Sequence, residues 1–199
     1  MTELLVLNIV KQIMQAVALD GSRVRTLVEG LDQTPDGVVV DHVHGHVYWT
    51  NMGTPDPGPI TGSEPGFFRR NGSIERVDLD GGNRQVIIAP GGFTTGKQLT
   101  ADISNGKLYW CDREGMQVLR CNLDGSEIEP LITTSTGDDA ARDARNHPVG
   151  IAIDTTTRLL YWTQKGAPKA GQGRIFRAGL DIPDGCTHAN RQDVELLWD

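Results

Sequence analysis

The stretch Pro148-Val-Gly-Ile-Ala-Ile-Asp154, followed by Leu160-Tyr-Trp-Thr163, decides the fold because two related copies of it lie upstream. The other copies are Gln98-Leu-Thr-Ala-Asp102 with Leu108-Tyr-Trp-Cys111, and Asp36-Gly-Val-Val-Val-Asp41 with Val47-Tyr-Trp-Thr50. In every copy the tyrosine follows the aspartate by seven positions. Such self-similarity with a fixed internal spacing predicts one strand–turn–strand unit used three times.

Each copy continues into an alternating strand, a turn and one further strand. In the first two copies the turn is Leu-Asp-Gly, and in the third it is stretched. These continuations are Ile74–Gly81 with Arg84–Ile88, Val118–Gly125 with Ile128–Ile132, and Arg174–Ala178 with Leu180–Gly185 and Val194–Trp198. Four strands in about 40 residues, once insertions are removed, is the pattern of a β-propeller blade.

A degenerate fourth copy stands at the N-terminus. Leu4–Gly21 aligns without a gap on Leu108–Gly125, and Arg23–Val28 supplies one further strand. The Tyr-Trp pair is lost from this copy, and so is the first strand of the unit. The sequence therefore predicts three complete blades and one blade of three strands.

The aspartate, the Tyr-Trp-Thr run and the Leu-Asp-Gly turn resemble the YWTD repeats of the low-density lipoprotein receptor family, over nearly the whole chain. The resemblance implies an all-β, YWTD-type β-propeller with about three and three-quarter four-stranded blades. The fourth motif position departs from the family, because it is Asn51, Asp112 and Gln164 in the three copies. Only the middle copy keeps the aspartate.

We expect a single, partial propeller domain over residues 1–199, with blade parts 1–30, 31–92, 93–135 and 136–199. Propellers of this family close with six blades, and an open arc leaves unpaired strand edges that soluble proteins avoid. The ring is therefore expected to be completed by a second chain, as a homodimer, or to be truncated from a six-bladed propeller. A tightly closed four-bladed ring is the less favoured alternative.

Composition limits the classes of function. The chain has 24 glycines and 10 prolines among 199 residues, which is typical of many tight turns between short strands. A net charge of −7 argues against a nucleic-acid partner. No apolar run approaches the roughly 20 residues that span a bilayer, so no membrane partner is expected. Glu3 stands where an export signal carries positive charge, and we predict a cytoplasmic location.

Three cysteines, an odd number, do not form a disulfide framework. A tight turn near Gly115 would place Cys111 opposite a residue near Val118, too far from Cys121 for a disulfide bond. We expect these two thiols to fill small spaces in the core or to lie at the surface.

Long connections are predicted to emerge on one face of the propeller. They are Asn51–Gly72, Pro90–Lys97, Thr134–His147 and Gln164–Gly173. In a blade that runs from the axis outward, loops between the second and third strands and loops between blades share a face. Long loops on a rigid scaffold commonly carry binding residues, so we expect the functional site there.

Seven residues are the candidates for that site. Phe67, Phe68 and Arg69 form an aromatic–cationic group that could close over a ligand, or the two rings could only anchor the loop. His147 and Asp36 begin innermost strands, where an acid or base would face the channel, although His147 could instead satisfy a loop carbonyl. We therefore predict His147 and Asp36 as catalytic residues, and as substrate-binding residues Phe67, Phe68, Arg69, Lys97 and Lys165.

No metal or cofactor is predicted. His42, His44 and His46 alternate on a short turn of the opposite face and are interpreted as solvated turn residues. The run Gly91–Gly96 connects two blades and does not stand between a strand and a helix, as a phosphate-binding loop does.

Two functions remain open. Stand-alone intracellular propellers similar to this one include fungal hetero-Diels-Alderases, and that resemblance implies an apolar small-molecule ligand and a cofactor-free cyclase of secondary metabolism. The alternative is a non-enzymatic module that binds proteins, as YWTD propellers do in receptors. The small-molecule function is favoured on the expected location and the placement of the loops, and the seven candidate residues belong to it.

Overall fold

The computed structural model describes residues 2–58 and 65–199. Within these ranges the chain forms four antiparallel sheets, which are the propeller blades. Blade 1 has three strands, β1 (Glu3–Asn8), β2 (Ile13–Ala18) and β3 (Val24–Val28). The degenerate N-terminal copy is thus a blade without its first strand, as predicted.

Three four-stranded blades follow, each with its strands in sequential order. Blade 2 is β4 (Pro35–Asp41), β5 (His46–Asn51), β6 (Gly72–Asp78) and β7 (Gln85–Phe93); blade 3 is β8 (Gly96–Asp102), β9 (Lys107–Asp112), β10 (Gln117–Asn122) and β11 (Glu129–Thr133); blade 4 is β12 (Pro148–Asp154), β13 (Leu159–Gln164), β14 (Arg174–Gly179) and β15 (Glu195–Trp198). The all-β, YWTD-type propeller and its blade count are confirmed. The assignment of a single domain to 1–199 stays a prediction.

Among residues 2–58 and 65–199, helical structure is confined to the connection between blades 3 and 4. It consists of α1 (Asp138–Ala141) and a 3₁₀ turn, Ala144–Asn146. In the described part of the chain no helix has the length and the apolar character needed to cross a membrane.

The Tyr-Trp pairs of blades 2 and 3 each pack against both neighbouring blades. Adjacent residues of a strand point to opposite faces, so the tyrosine faces the following blade and the tryptophan the preceding one. Trp49 packs against blade 1, Tyr48 shares a core cluster with Trp110 of blade 3, and Tyr109 shares one with Trp162 of blade 4. A buried ring of this size stabilises the fold by roughly 1.5–3 kcal/mol relative to an exposed one. The motif is therefore structural.

The repeated aspartate closes the turn between the first two strands of a blade. Oδ1 of Asp41 accepts hydrogen bonds from the backbone N–H groups of Val43 and His44, both at 2.9 Å. Asp102 and Asp154 bond to their own turns in the same way. This local bonding explains why the distance from the aspartate to the tyrosine never varies.

The third motif residue links each blade to the next one. The Thr50 hydroxyl accepts from the N–H of Gly37 at 2.9 Å and donates to the carbonyl of Lys97 at 2.6 Å. In blade 3 the equivalent residue is Cys111, whose thiol donates to the carbonyl of Gly150 at 3.5 Å. The innermost strands β4, β8 and β12 are tied together by these contacts.

The cysteine prediction is confirmed. Cys111 lies opposite Val118 and Cys121 lies opposite Leu108, so the two thiols cannot meet. Both are fully buried and unpaired. Burial raises the pKa of Cys121 to about 12, so this thiol stays protonated and chemically inert.

One predicted loop is largely strand. Pro90–Lys97 was expected to be a long connection, but β7 runs to Phe93 and β8 begins at Gly96. The irregular pairing between β6 and β7 lets the chain continue past the two glycines, and Phe93 pairs with Gly72. The prediction was wrong because glycines in a bulged strand have the same sequence signature as a loop.

The terminal blades each expose an apolar face. In β1, Leu4 is 56% exposed and Val6 is 42% exposed. Leu108 and Trp110 hold the same positions in blade 3 and are fully buried against blade 2. At the other end Ile175 is 39% exposed, although its counterpart Val118 is fully buried. Neighbouring blades cover these positions everywhere else in the described chain.

The glycine of the Leu-Asp-Gly turn supports a direct test of blade packing. At Gly125 (φ +84°) a Cβ atom would lie 2.2 Å from the carbonyl oxygen of Ile87 in the preceding blade, whereas at Gly21 (φ +71°) it would meet no atom within 4 Å. We expect Gly21→Ala to cost about 1–2 kcal/mol, for left-handed backbone strain alone. Gly125→Ala is expected to cost at least about 1 kcal/mol more, because the blades must move apart.

Urea unfolding of the two variants beside the wild type measures this difference. Equal losses of stability would show that the blades do not approach each other as described.

Candidate functional site

The loop face is the end of the propeller where the connections β5–β6, β9–β10, β13–β14 and β11–β12 emerge. This follows from the antiparallel order of the strands, which puts these connections at one end of their blades. Residues 59–64 of the first connection, within the predicted long loop Asn51–Gly72, lie outside the described residues.

The two phenylalanines of that first connection have different environments. Phe67 is buried, its carbonyl accepts a hydrogen bond from the Thr95 hydroxyl at 2.7 Å, and the guanidinium of Arg113 lies 5.8 Å from its ring centre. Phe68 is 39% exposed, with the guanidinium of Arg142 4.8 Å from its ring centre. Phe67 therefore anchors the loop, whereas Phe68 presents a ring at the surface.

Asp56 fixes the backbone beneath these rings. Its carboxylate accepts from the N–H groups of Phe68 at 2.7 Å and Arg69 at 3.2 Å. The side chain of Arg69 is 58% exposed, and its Nε lies 3.9 Å from Asp56. Arg69 thus lies at the rim of the loop face, where it could meet a ligand approaching from solvent.

His147 is buried where blade 4 begins. Its Nε2 atom lies 2.6 Å from the carbonyl oxygen of Ala141, which can only accept, so Nε2 carries the proton. Burial lowers the pKa of His147, and the imidazole is therefore neutral at neutral pH. Its Nδ1 is left as a buried acceptor without a hydrogen-bond partner among the described residues.

Beside this imidazole lies a charged pair from the short β9–β10 turn. Arg113 Nε donates to Glu114 Oε1 at 2.7 Å, and both side chains are buried. The second carboxylate oxygen of Glu114 is buried and, within residues 2–58 and 65–199, has no hydrogen-bond partner. Glu114, Arg113 and Lys165 all act electrostatically on His147. We call these four residues the His147 cluster.

Sequence reasoning found His147 and Lys165 but missed Arg113 and Glu114. Functional residues were expected in long loops, whereas Arg113 and Glu114 lie in a four-residue turn. A signal was present, because two opposite charges directly follow Asp112, the one aspartate at the fourth motif position.

Asp112 positions that turn. Its carboxylate accepts from the backbone N–H groups of Thr94 at 2.9 Å, Thr95 at 2.6 Å and Gly115 at 3.2 Å. Burial nevertheless raises the pKa of Asp112 to about 6. Through these hydrogen bonds Asp112 joins the turn that contains Glu114 to the connection between blades 2 and 3.

Asp36 and Lys97, the other two candidates, form an ion pair between the innermost strands β4 and β8. Both side chains are largely buried, and Gln98 Nε2 donates to the second oxygen of Asp36 at 3.3 Å. In the described structure their polar contacts do not include the His147 cluster. The pair therefore neutralises itself, and it joins two blades at the channel.

Two of the three histidines of the opposite face, His44 and His46, have separate carboxylate partners. His44 lies 2.7 Å from Asp41, and His46 lies 3.6 Å from Asp78. Over the residues that the structure describes, no group of three or more His, Cys, Asp or Glu side chains is placed to hold a metal ion.

These features define a propeller of the YWTD class. The blades are joined by Tyr-Trp packing, the repeated aspartate closes a turn in each one, and the long loops lie at one end. The chain belongs to the YWTD β-propeller family of the low-density lipoprotein receptor type. It is 45% identical over 184 residues to a low-density lipoprotein receptor-related protein 1 of Pyricularia oryzae, a match that covers 90% of this chain and 55% of the relative.

A second fungal relative is named 3-hydroxyacyl-CoA dehydrogenase-like protein LAM1, from Cochliobolus heterostrophus. It is 37% identical over 183 residues, which cover 90% of this chain and 36% of the relative. The chain thus spans about half or less of the length of these relatives. No protein-family model matches it.

Solved structures show the same fold. Nidogen in its complex with laminin gives a TM-score of 0.62 at 21% identity, over 94% of this chain and 59% of that one. A gluconolactonase from Xanthomonas campestris gives 0.61 at 18% identity, over 95% of this chain and 57% of that one. At these identities the likeness establishes architecture alone.

Asp112 predicts a pH dependence of stability. Because its pKa in the folded state lies above the ordinary value of 3.8, stability is greatest at low pH and falls as pH rises through about 6. Relative to Asp112→Asn, which does not titrate, the wild type should lose about 2 kcal/mol between pH 4.5 and 7.5.

Urea unfolding of both proteins at the two pH values measures that loss. A difference between the two proteins that stays constant with pH would show that the carboxylate is not destabilised by burial.

Proposed function

We propose that the chain binds an apolar small molecule at its loop face and acts as a cofactor-free cyclase, such as a hetero-Diels-Alderase of secondary metabolism. The observation that carries this proposal is the His147 cluster, in which Nδ1 of His147 and one oxygen of Glu114 are buried without partners. Nearly all buried polar atoms in folded proteins are hydrogen-bonded, so two such atoms in one cluster favour a ligand-binding role.

The proposed reaction makes modest demands on the protein. In a hetero-Diels–Alder addition a conjugated C=C–C=O unit and an alkene form two new σ bonds, while three π bonds become one. No electron, proton or leaving group departs, so neither cofactor nor metal is needed. The protein must hold the two partners together, exclude water and polarise the carbonyl group.

The described residues suit these roles. The exposed ring of Phe68 would pack against the apolar ligand while Phe67 anchors the loop. The cationic side chains of Arg113 and Lys165 would polarise a carbonyl oxygen. His147, neutral and with an open acceptor at Nδ1, would receive a hydrogen bond from a ligand hydroxyl.

The relatives add limited support. Two of the relatives are fungal proteins. The name of the second relative refers to a dehydrogenase. Enzymes of that kind bind a dinucleotide at a glycine-rich loop that precedes a helix. Gly91–Gly96 joins β7 to β8 instead, so we do not extend that name to this chain.

A non-enzymatic protein-binding module is the second candidate. One observation favours it: Phe68 is exposed and stands beside the cationic side chains of Arg69 and Arg142. An aromatic ring bordered by arginines is typical of a protein-binding surface, and the charge would suit an acidic partner.

We also propose a cytoplasmic location and a completed ring. Unpaired thiols, as at Cys111, Cys121 and Cys186, suit a reducing compartment. The open faces at Leu4 and Ile175 would be covered by further propeller blades, either from a second copy in a homodimer or from the rest of a longer protein.

The site is tested with Phe68→Ala and His147→Gln. Glutamine keeps a donor for the Ala141 carbonyl but removes the Nδ1 acceptor. With farnesene as the alkene and 2-hydroxybenzyl alcohol, which loses water to form the quinone methide before the cycloaddition, we expect Phe68→Ala to weaken farnesene binding about tenfold. His147→Gln should lower the rate of cycloadduct formation about tenfold, which corresponds to the loss of one hydrogen bond. Calorimetry and chiral chromatography measure the two effects.

Val43→Ala is the matched control, because Val43 is 77% exposed on the opposite face and should change neither quantity. Binding and turnover that survive both site variants would refute the site. Failure to bind farnesene, together with binding of an acidic peptide that Phe68→Ala abolishes, would establish the protein-binding alternative.

Ring completion by a second copy is tested by light scattering. We expect a mass of twice 21.7 kDa at micromolar concentrations, reduced to the monomer by Ile175→Glu. Val43→Glu places the same charge on an exposed site away from both open faces and should leave the mass unchanged. A monomer at every concentration would exclude the homodimer.

A further inference from the structure

A cavity of about 340 Å³ opens on the loop face between blades 3 and 4. It lies farther out in the blades than the innermost strands, and none of the His147 cluster residues lines it. Its walls are formed by Ile132, Thr133, Thr134, Asn146, Trp162, Gln164, Arg174, Phe176, His188, Ala189, Arg191 and Val194. No carboxylate side chain is among these described lining residues, although the chain as a whole is acidic.

Gln164 is the residue that distinguishes this cavity. It occupies the fourth motif position, where its counterparts bond to their surroundings: Asn51 donates to Ser73 and Glu75 at 3.0 and 2.9 Å, and Asp112 accepts three backbone N–H groups. Gln164 is only 6% exposed, and within the described residues its side-chain amide has no hydrogen-bond partner. Because Gln164 lines the cavity, its amide group can donate a hydrogen bond to a ligand there.

The aromatic wall of the cavity consists of the buried Trp162 and the half-buried Phe176. Trp162 and Phe176 are stacked, with ring centres 5.4 Å apart and planes inclined by 12°. In the preceding interface the equivalent Trp110 is covered by Phe93, at 5.2 Å between ring centres. The chain after β11 enters the segment 134–147, which contains no Phe, Tyr or Trp. No ring is therefore available there to cover Trp162 as Phe93 covers Trp110.

Arg174 supplies a positive charge to the same space. Its guanidinium lies 5.4 Å from the ring centre of Phe176 and donates to the carbonyl of Arg145 at 2.6 Å. In the part of the chain that is described, Arg174 forms no ion pair with a carboxylate. Arg191, by contrast, forms an ion pair with Asp193 at 2.5 Å, so it lines the cavity without offering an unpaired charge to a ligand.

From this combination we propose a second small-molecule site, specific for a planar aromatic carboxylate. The carboxylate receives charge-assisted hydrogen bonds from Arg174 and from the amide group of Gln164, and the aromatic body packs against Trp162 and Phe176. A cavity of about 340 Å³ accommodates one or two fused rings. This site is separate from the proposed cyclase site and does not depend on it.

The test uses 2-naphthoate as the probe and the 199-residue chain as the protein. Isothermal calorimetry should detect binding at submillimolar concentration, with 2-naphthamide, the neutral analogue, binding at least about tenfold more weakly. Arg174→Gln should weaken naphthoate binding at least about tenfold by removing the charge. Gln164→Glu, which has the same shape, should do the same by repulsion.

Arg177→Gln is the matched control. Arg177 lies on the same strand as Arg174, is paired with Glu195 at 2.8 Å and does not line the cavity, so its loss should leave naphthoate affinity unchanged. Circular dichroism confirms that each variant is folded. Because Gln164→Glu leaves the stacking of Arg174 on Phe176 in place, it tests the proposal even if Arg174→Gln disturbs the wall.

Four results would overturn the proposal. Three are no naphthoate binding up to several millimolar by folded wild type, equal affinity for naphthoate and naphthamide, and unchanged affinity in Gln164→Glu; the fourth concerns a variant of the other site. His147→Gln is expected to leave naphthoate binding intact. If it abolished binding, the probe would be occupying the His147 cluster and the second site would be excluded.

Discussion

The burial of a tyrosine and a tryptophan on opposite faces of one strand is the constraint on which the rest of this structure depends. Because neighbouring strand residues point in opposite directions, a blade with Tyr48 and Trp49 side by side needs an apolar neighbour on both sides. That requirement stacks the blades in sequence order around an axis. It also places their long connections at one end, so the position of the loop face does not depend on the residues in the loops.

Each interface fills the space beside its tryptophan in a different way. Trp49 lies beneath the guanidinium of Arg84, which is itself paired with Glu75, and Trp110 is covered by Phe93. Beside Trp162 the corresponding interface contains a cavity. A repeat protein can vary such positions separately, because each blade contacts only its neighbours. The scaffold thus stays constant while one interface becomes available for a ligand.

Among the described residues, buried polar atoms without a hydrogen-bond partner occur in strands, as at Nε1 of Trp49 and Trp110, and also in loops. The turn aspartates are saturated by backbone N–H groups, as at Asp41, whereas His147 and Glu114 each bury a polar atom without a partner in the described residues. Such atoms cost about 1–3 kcal/mol each, and folding alone gives no reason to keep them.

The sequence by itself determined the architecture, because the blade repeat is a local pattern of alternation and turn residues read along one strand pair at a time. It also determined that Cys111 and Cys121 do not pair, and that the candidate residues belong to one face. Only the tertiary structure decided that Phe67 is buried while Phe68 is exposed, that Asp36 is paired with Lys97, and that the charges of Arg113 and Glu114 act on His147. Those contacts join residues distant along the chain, and they depend on how closely two blades approach and how each side chain is turned, which no spacing in the sequence encodes.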